Sequence, residues 1–173
     1  MSVKYACRFC LSLSLLFATH VVSYAQPSQQ PGLTLSGNWS YTVPATDVTE
    51  AGSDFSGTYT SAANQVQIGV SNKNNAEKNG YAWRVSARKM NATWDNTVAI
   101  YIRRTSDGAP ATNRATTITD GTVYQQITDT DQYFFGGYRG STGIAIQYEL
   151  RGVSVVMPAQ SYSTTVVYTV TSP

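Results

Sequence analysis

The side chains that most often carry chemistry at neutral pH are confined to the start of this chain. Its single histidine, His20, and its two cysteines, Cys7 and Cys10, all precede residue 21. From there on the chain has no imidazole to move protons near pH 7, no thiol nucleophile, no disulfide and no soft-metal ligand set. Carboxylates remain, as Glu50, Glu77, Glu149 and seven aspartates. Glycoside hydrolysis needs two of them facing one cleft, and no close pair on one strand face suggests it. Glu149 and Arg151, two apart on one strand face, read as partners of each other or of a neighbouring strand. Asp47, Glu50 and Asp54, and Asp129 with Asp131, offer oxygen ligands of the kind Ca²⁺ takes. Neither group has EF-hand spacing, and turn formation is the ordinary use of such aspartates. No catalytic residue, no metal site and no cofactor is expected, and the chain reads as non-enzymatic.

Binding is the chemistry left open. The segment Phe134–Gly143 holds four glycines around Tyr138 and Arg139, side chains that on a loop stack on a sugar or an aromatic ring. The plainer reading is a long connection with Phe134 or Phe135 plugging one end of the fold. Trp94, between two strong strand patterns, is either a recognition platform or a lid over the core. Trp94, Tyr138 and Arg139 are therefore the candidate ligand-binding residues, with a glycan or small ring compound as the ligand. Trp39 and Trp83 fall on apolar faces and read as core.

The elements that must carry these residues are strands. Ile144, Ile146, Tyr148 and Leu150 alternate with Gln147, Glu149 and Arg151, which gives one core face and one wet face. Tyr81, Trp83, Val85 and Ala87 alternate with Arg84, Ser86 and Arg88. Val66, Ile68 and Val70 repeat the pattern, as do Val98, Ile100 and Ile102. Leu33, Leu35, Trp39, Tyr41 and Val43 share parity in one long strand, or in two interrupted at Gly37. Tyr162, Thr164, Val166, Tyr168 and Val170 form a last inward row, and Phe55–Thr60 and Thr122–Ile127 complete the set. No helical period of useful length occurs. About nine short strands with Gly, Asn, Asp and Pro punctuation predict an all-β, antiparallel two-sheet sandwich of immunoglobulin-like type. Asp120-Gly121 is the strongest hairpin signal, because a type I′ turn needs two residues at φ > 0.

Residues 1–25 have the parts of a cleaved secretory signal: Lys4 and Arg8, the apolar run Leu11–Val22, then Ser23-Tyr24-Ala25 before Gln26. Residues 26–32 read as a flexible lead and 33–173 as one domain. Secretion to the periplasm, cell surface or medium is the expected localisation. The apolar run is shorter than the roughly 20 residues of a membrane span, and no later stretch is long enough, so no transmembrane segment is expected in the mature chain. Removing Lys4 and Arg8 from the 12 basic residues leaves as many as the 10 acidic ones. A neutral chain with only Arg88-Lys89 and Arg103-Arg104 adjacent lacks the basic cluster that nucleic acid demands.

The C-terminal stretch Gly152–Val170, with its alternating Tyr162, Thr164, Val166, Tyr168 and Val170, resembles the ending of bacterial secreted immunoglobulin-like surface domains, including subunits of chaperone–usher pili. With the secretory signal, the missing catalytic residue types and the β-rich composition, the leading expectation is a structural or adhesive surface protein. A glycan- or small-ligand-binding module is the alternative, and a secreted hydrolase is a distant one. The resemblance also implies self-association or surface assembly through edge strands, with Gln26–Val43 as an extension that completes a neighbour. The chain departs from the pilus pattern in lacking cysteine after Cys10 and in ending Thr171-Ser172-Pro173, without an aromatic penultimate residue.

Overall fold

The computed structural model describes residues 13–15, 31–47, 54–55, 57–72, 80–91 and 93–173. They form an antiparallel two-sheet β-sandwich in which the helical content is one 3-10 turn, Ala45–Asp47. The strands are β1 (Leu13–Leu15), β2 (Pro31–Ser36), β3 (Tyr59–Thr60), β4 (Val66–Asn72), β5 (Ala82–Asn91), β6 (Ala99–Arg104), β7 (Ala109–Pro110), β8 (Thr117–Thr119), β9 (Gln125–Gln126), β10 (Gln132–Tyr138), β11 (Ser141–Arg151) and β12 (Tyr162–Thr171). Eleven of them follow Pro31, against the nine or so expected. β3 and β9 fall within the expected Phe55–Thr60 and Thr122–Ile127, whereas the surplus includes β10 and the two-residue β7, which is too short to leave an alternation in the sequence.

The first sheet has the order β1-β12-β5-β10-β8 and the second β2-β4-β11-β6-β9. β11 is the spine of the second sheet, with β4 and β3 along one edge and β6 and β7 along the other. Every pairing is antiparallel except that of β1, whose Leu13 lies opposite Tyr162 on the outer edge of β12. The chain changes sheet between β4 and β5, between β5 and β6, and at every step from β7 to β12. Neighbours in sequence are therefore seldom neighbours in a sheet.

The inward rows expected from period two form the core. Val66, Ile68, Val70, Trp83, Val85, Ile100, Ile102, Ile144, Ile146, Tyr148 and Val166 are all buried, as are Tyr162 and Tyr168. Between the sheets the hydroxyls of Tyr148 and Tyr168 meet at 2.7 Å. Trp39 stacks on Tyr148 with centroids 6.0 Å apart, and Trp83 meets Phe135 edge-on at 5.9 Å.

Four expectations change. Phe134–Gly143 is not a loop: its first part is β10, an interior strand hydrogen-bonded to β5 and β8. A bulge between Tyr133 and Phe135 breaks the alternation there, so Phe134 and Phe135 both point into the core instead of plugging its end. Asp120 and Gly121 do take φ of 66° and 74°, but β8 and β9 on either side belong to different sheets. The turn carries the chain across the sandwich and closes no hairpin. The outer face of β11 is not wet: Gln147 and Glu149 are buried. Gln147 accepts from Arg103 Nε at 2.8 Å and from the Tyr124 hydroxyl at 3.0 Å, while the Arg151 guanidinium pairs with Glu149 and lies 4.0 Å over the Tyr101 ring. Leu33–Val43 does break at Gly37, one of the two readings of the sequence, where φ is +101° and a Cβ would strike the Gln65 carbonyl, but its second half is not a strand. Beyond that point Trp39 and Val43 are buried without strand pairing.

Candidate binding groove

The outer face of the first sheet carries a shallow groove of about 290 Å³. The bulge in β10 creates it. Because Phe134 and Phe135 both turn inward, the outward positions of β10 become Tyr133, Gly136 and Tyr138. Gly136 stands between Arg84 on β5 and Thr119 on β8, so the floor has no side chain of its own there, and Tyr133 leans over it with its hydroxyl 3.1 Å from where a Gly136 Cβ would stand. Ala82, Arg84, Thr117 and Thr119 form the walls. Tyr133 and Tyr138 rise at the ends, 44% and 42% exposed. They pair with Ser86 and Ala82, four positions apart on β5, which at about 3.3 Å per residue separates them by roughly 13 Å.

Gly137 holds this geometry from below. Its Cβ would point inward, into the Trp83 indole and to 2.7 Å from the Thr117 carbonyl. The Trp83 Nε1–H donates to the Arg139 carbonyl at 2.7 Å, which ties the turn after Tyr138 to the core. Arg139 has φ of 65°, the left-handed region that side chains seldom adopt. Its Nη1 donates to the Ala115 carbonyl at 3.2 Å, and its guanidinium lies 5.4 Å from the Tyr138 ring centre. At the other end the Tyr133 hydroxyl donates to Asp120 at 2.7 Å. Burial, reinforced by that bond and by the carboxylate charge, raises the Tyr133 pKa, so the ring stays neutral at physiological pH. The Arg84 guanidinium lies 5.9 Å from the Tyr133 ring centre.

Of the three residues singled out from sequence, Tyr138 lines the groove and Arg139 braces it. Trp94 does neither. It lies past the far end of β5, whereas Tyr138 faces Ala82 at the near end; the nine steps between those ends span about 30 Å. Trp94 is half-buried against the core and its Nε1–H donates to the Val98 carbonyl at 2.8 Å, so it is the lid. Sequence reasoning missed Tyr133, Gly136, Thr117 and Thr119 as site residues. The doublet Phe134-Phe135 in front of Gly136-Gly137 was the available signal, since two adjacent buried aromatics within a strand require a bulge.

Three of the aspartates considered for calcium, Asp47, Asp54 and Asp131, have other partners. Asp54 accepts from the Val155 amide and the Ser154 hydroxyl at 2.7 Å each, bonds that hold its pKa low. Asp47 accepts from the Tyr59 hydroxyl, and Asp131 faces Arg88 at 3.6 Å. Glu50 lies outside the described residues. Among the described residues no helix is long and apolar enough to cross a membrane.

Fold and groove together define a β-sandwich with an open aromatic groove on one outer face. No family model, no curated protein and no solved structure matches the chain.

Proposed function

We propose that this chain is a secreted, non-enzymatic β-sandwich protein that works by binding, and that it holds a saccharide on the outer face of its first sheet. The observation carrying this reading is the pair of half-exposed tyrosines, Tyr133 and Tyr138, that line one open groove. An aromatic face receives the C–H face of a sugar ring, and the Thr117 and Thr119 hydroxyls on the wall can both donate and accept. A groove of about 290 Å³ is at the small end of the range for ligand sites. Titration of the protein against a panel of neutral and acidic oligosaccharides tests it. Tyr133→Ala and Tyr138→Ala are each expected to weaken binding about tenfold, or roughly 1.4 kcal/mol. Trp94→Phe is expected to leave affinity unchanged, and no binding anywhere in the panel refutes the reading.

Assembly through an edge strand is the second reading, and a specific observation favours it. Among the described residues the outer edge of β12 forms ladder pairs only with β1, over Tyr162–Thr164. Removal of a cleaved leader takes that partner away and leaves the main-chain donors and acceptors of the last strand open to another chain. Sedimentation of residues 26–173 checks this. Concentration-dependent association, weakened by Thr169→Lys, is expected if the edge is used, and a monomer at all concentrations rules it out.

A further inference from the structure

We propose that the ligand of the groove is an acidic saccharide, read by Arg84 through a carboxylate on the sugar. This deepens the saccharide reading above and rests on it. Among the described arginines Arg84 is the one with no ionic or hydrogen-bonding partner. Arg88 faces Asp131 at 3.6 Å, and Arg151 pairs with Glu149. Arg103 donates to Gln147, Arg139 to the Ala115 carbonyl, and Arg104 to the Asp120 carbonyl and Asp107. Arg114 is also engaged. Arg84 has only the face of the Tyr133 ring, 5.9 Å away.

Its position is as telling as its lack of a counter-charge. Arg84 is exposed, and its neighbours across the two flanking strands are Gly136 and Thr171, neither of them charged. Asp120 beside the groove is taken by the Tyr133 hydroxyl, and the C-terminal residue Pro173 makes no ion pair with Arg84 although it also lines the groove. The guanidinium lies at the edge of the groove, 5.9 Å from the centre of the Tyr133 ring. A sugar ring lying in the groove against the exposed part of either tyrosine would bring an exocyclic carboxylate within reach of two of the guanidinium nitrogens. Guanidinium matches a carboxylate with two parallel hydrogen bonds, which an ammonium group cannot do. A hydrogen bond to a charged group is strong enough to make the acid bind roughly ten- to a hundredfold more tightly than a neutral isostere.

Uronic-acid oligosaccharides and their methyl esters differ in that charge and in one small methyl group, so calorimetric titration of both series into the full chain is the test. The acids are expected to bind more tightly than their esters by that factor, with a preference that shrinks as salt is raised. Arg84→Gln is expected to abolish the preference, so that acids and esters bind this variant alike while its melting temperature is retained, and Arg84→Lys to restore only part of it. Equal binding of acids and esters to the wild-type chain overturns the acidic-sugar inference and leaves the saccharide reading standing. Failure of both series, and of neutral oligosaccharides, overturns both. Because the acid–ester comparison is made on the wild-type protein, the result does not depend on the folding of any variant.

Discussion

Trp83→Ala is expected to destabilise the protein by about 3–5 kcal/mol, the cost of removing a fully buried aromatic side chain, and to erase the groove on the other side of the sheet. Trp83 is 1% exposed, meets Phe135 edge-on, and covers the place where Gly137 has no side chain. Its loss leaves a cavity between the sheets and strips the Arg139 carbonyl of its indole donor. Domains of this size have total stabilities of roughly 5–15 kcal/mol, so this one substitution removes a large share. The measurement is the midpoint of urea unfolding at constant m. Gly137→Ala probes the same contact from the other strand, since its methyl collides with the indole and with the Thr117 carbonyl. Because the two positions touch, their effects should be less than additive. Full additivity would mean that the indole does not enforce the glycine.

Stability should also fall steeply above pH 10, because of the buried Tyr148–Tyr168 pair. Burial, the dominant cause for both phenols, raises their pKa values well above the usual 10. In the folded state both stay protonated where the unfolded chain ionises. Stabilisation from a raised pKa is complete below the unfolded value and is lost as pH rises toward the folded one. Each phenol costs about 1.4 kcal/mol per pH unit in that window, and the pair about twice as much. Chemical unfolding at stepped pH from 8 to 11.5 should show a plateau followed by this decline. The Tyr148→Phe, Tyr168→Phe double variant should flatten it. Either single variant should lose about 1–3 kcal/mol at pH 8, because it leaves one buried hydroxyl without its partner at 2.7 Å. The double variant should lose less than the two singles together. A slope unchanged in the double variant would assign the alkaline transition to other tyrosines.

How far the sequence reaches can be judged from single strands. β4, β5, β6, β11 and β12 were legible because their inward residues recur every second position, and burial follows that count without reference to other strands. β10 was not legible. Its bulge puts two buried aromatics side by side and its Gly-Gly looks like a loop, although Gly137 is demanded by an indole from another strand. The same applies to Asp120-Gly121, whose left-handed backbone is a local property while its role as a crossover is not. The outward direction of Arg84 was readable, but its lack of a partner depends on where every other charge sits.

By itself the sequence determined the all-β character, the identity of most core residues and the loss of histidine and cysteine chemistry after residue 20. These depend on residue type and on a two-residue period, both local. Only the tertiary structure decided which strands are neighbours, that Tyr133 and Tyr138 share a groove from which Trp94 is remote, and that Gln147 and Glu149 are buried on a face expected to be wet. These depend on pairings between strands far apart in the chain, such as β12 with β5 and β11 with β4. Many such pairings are compatible with the same alternation, and packing across both sheets selects one.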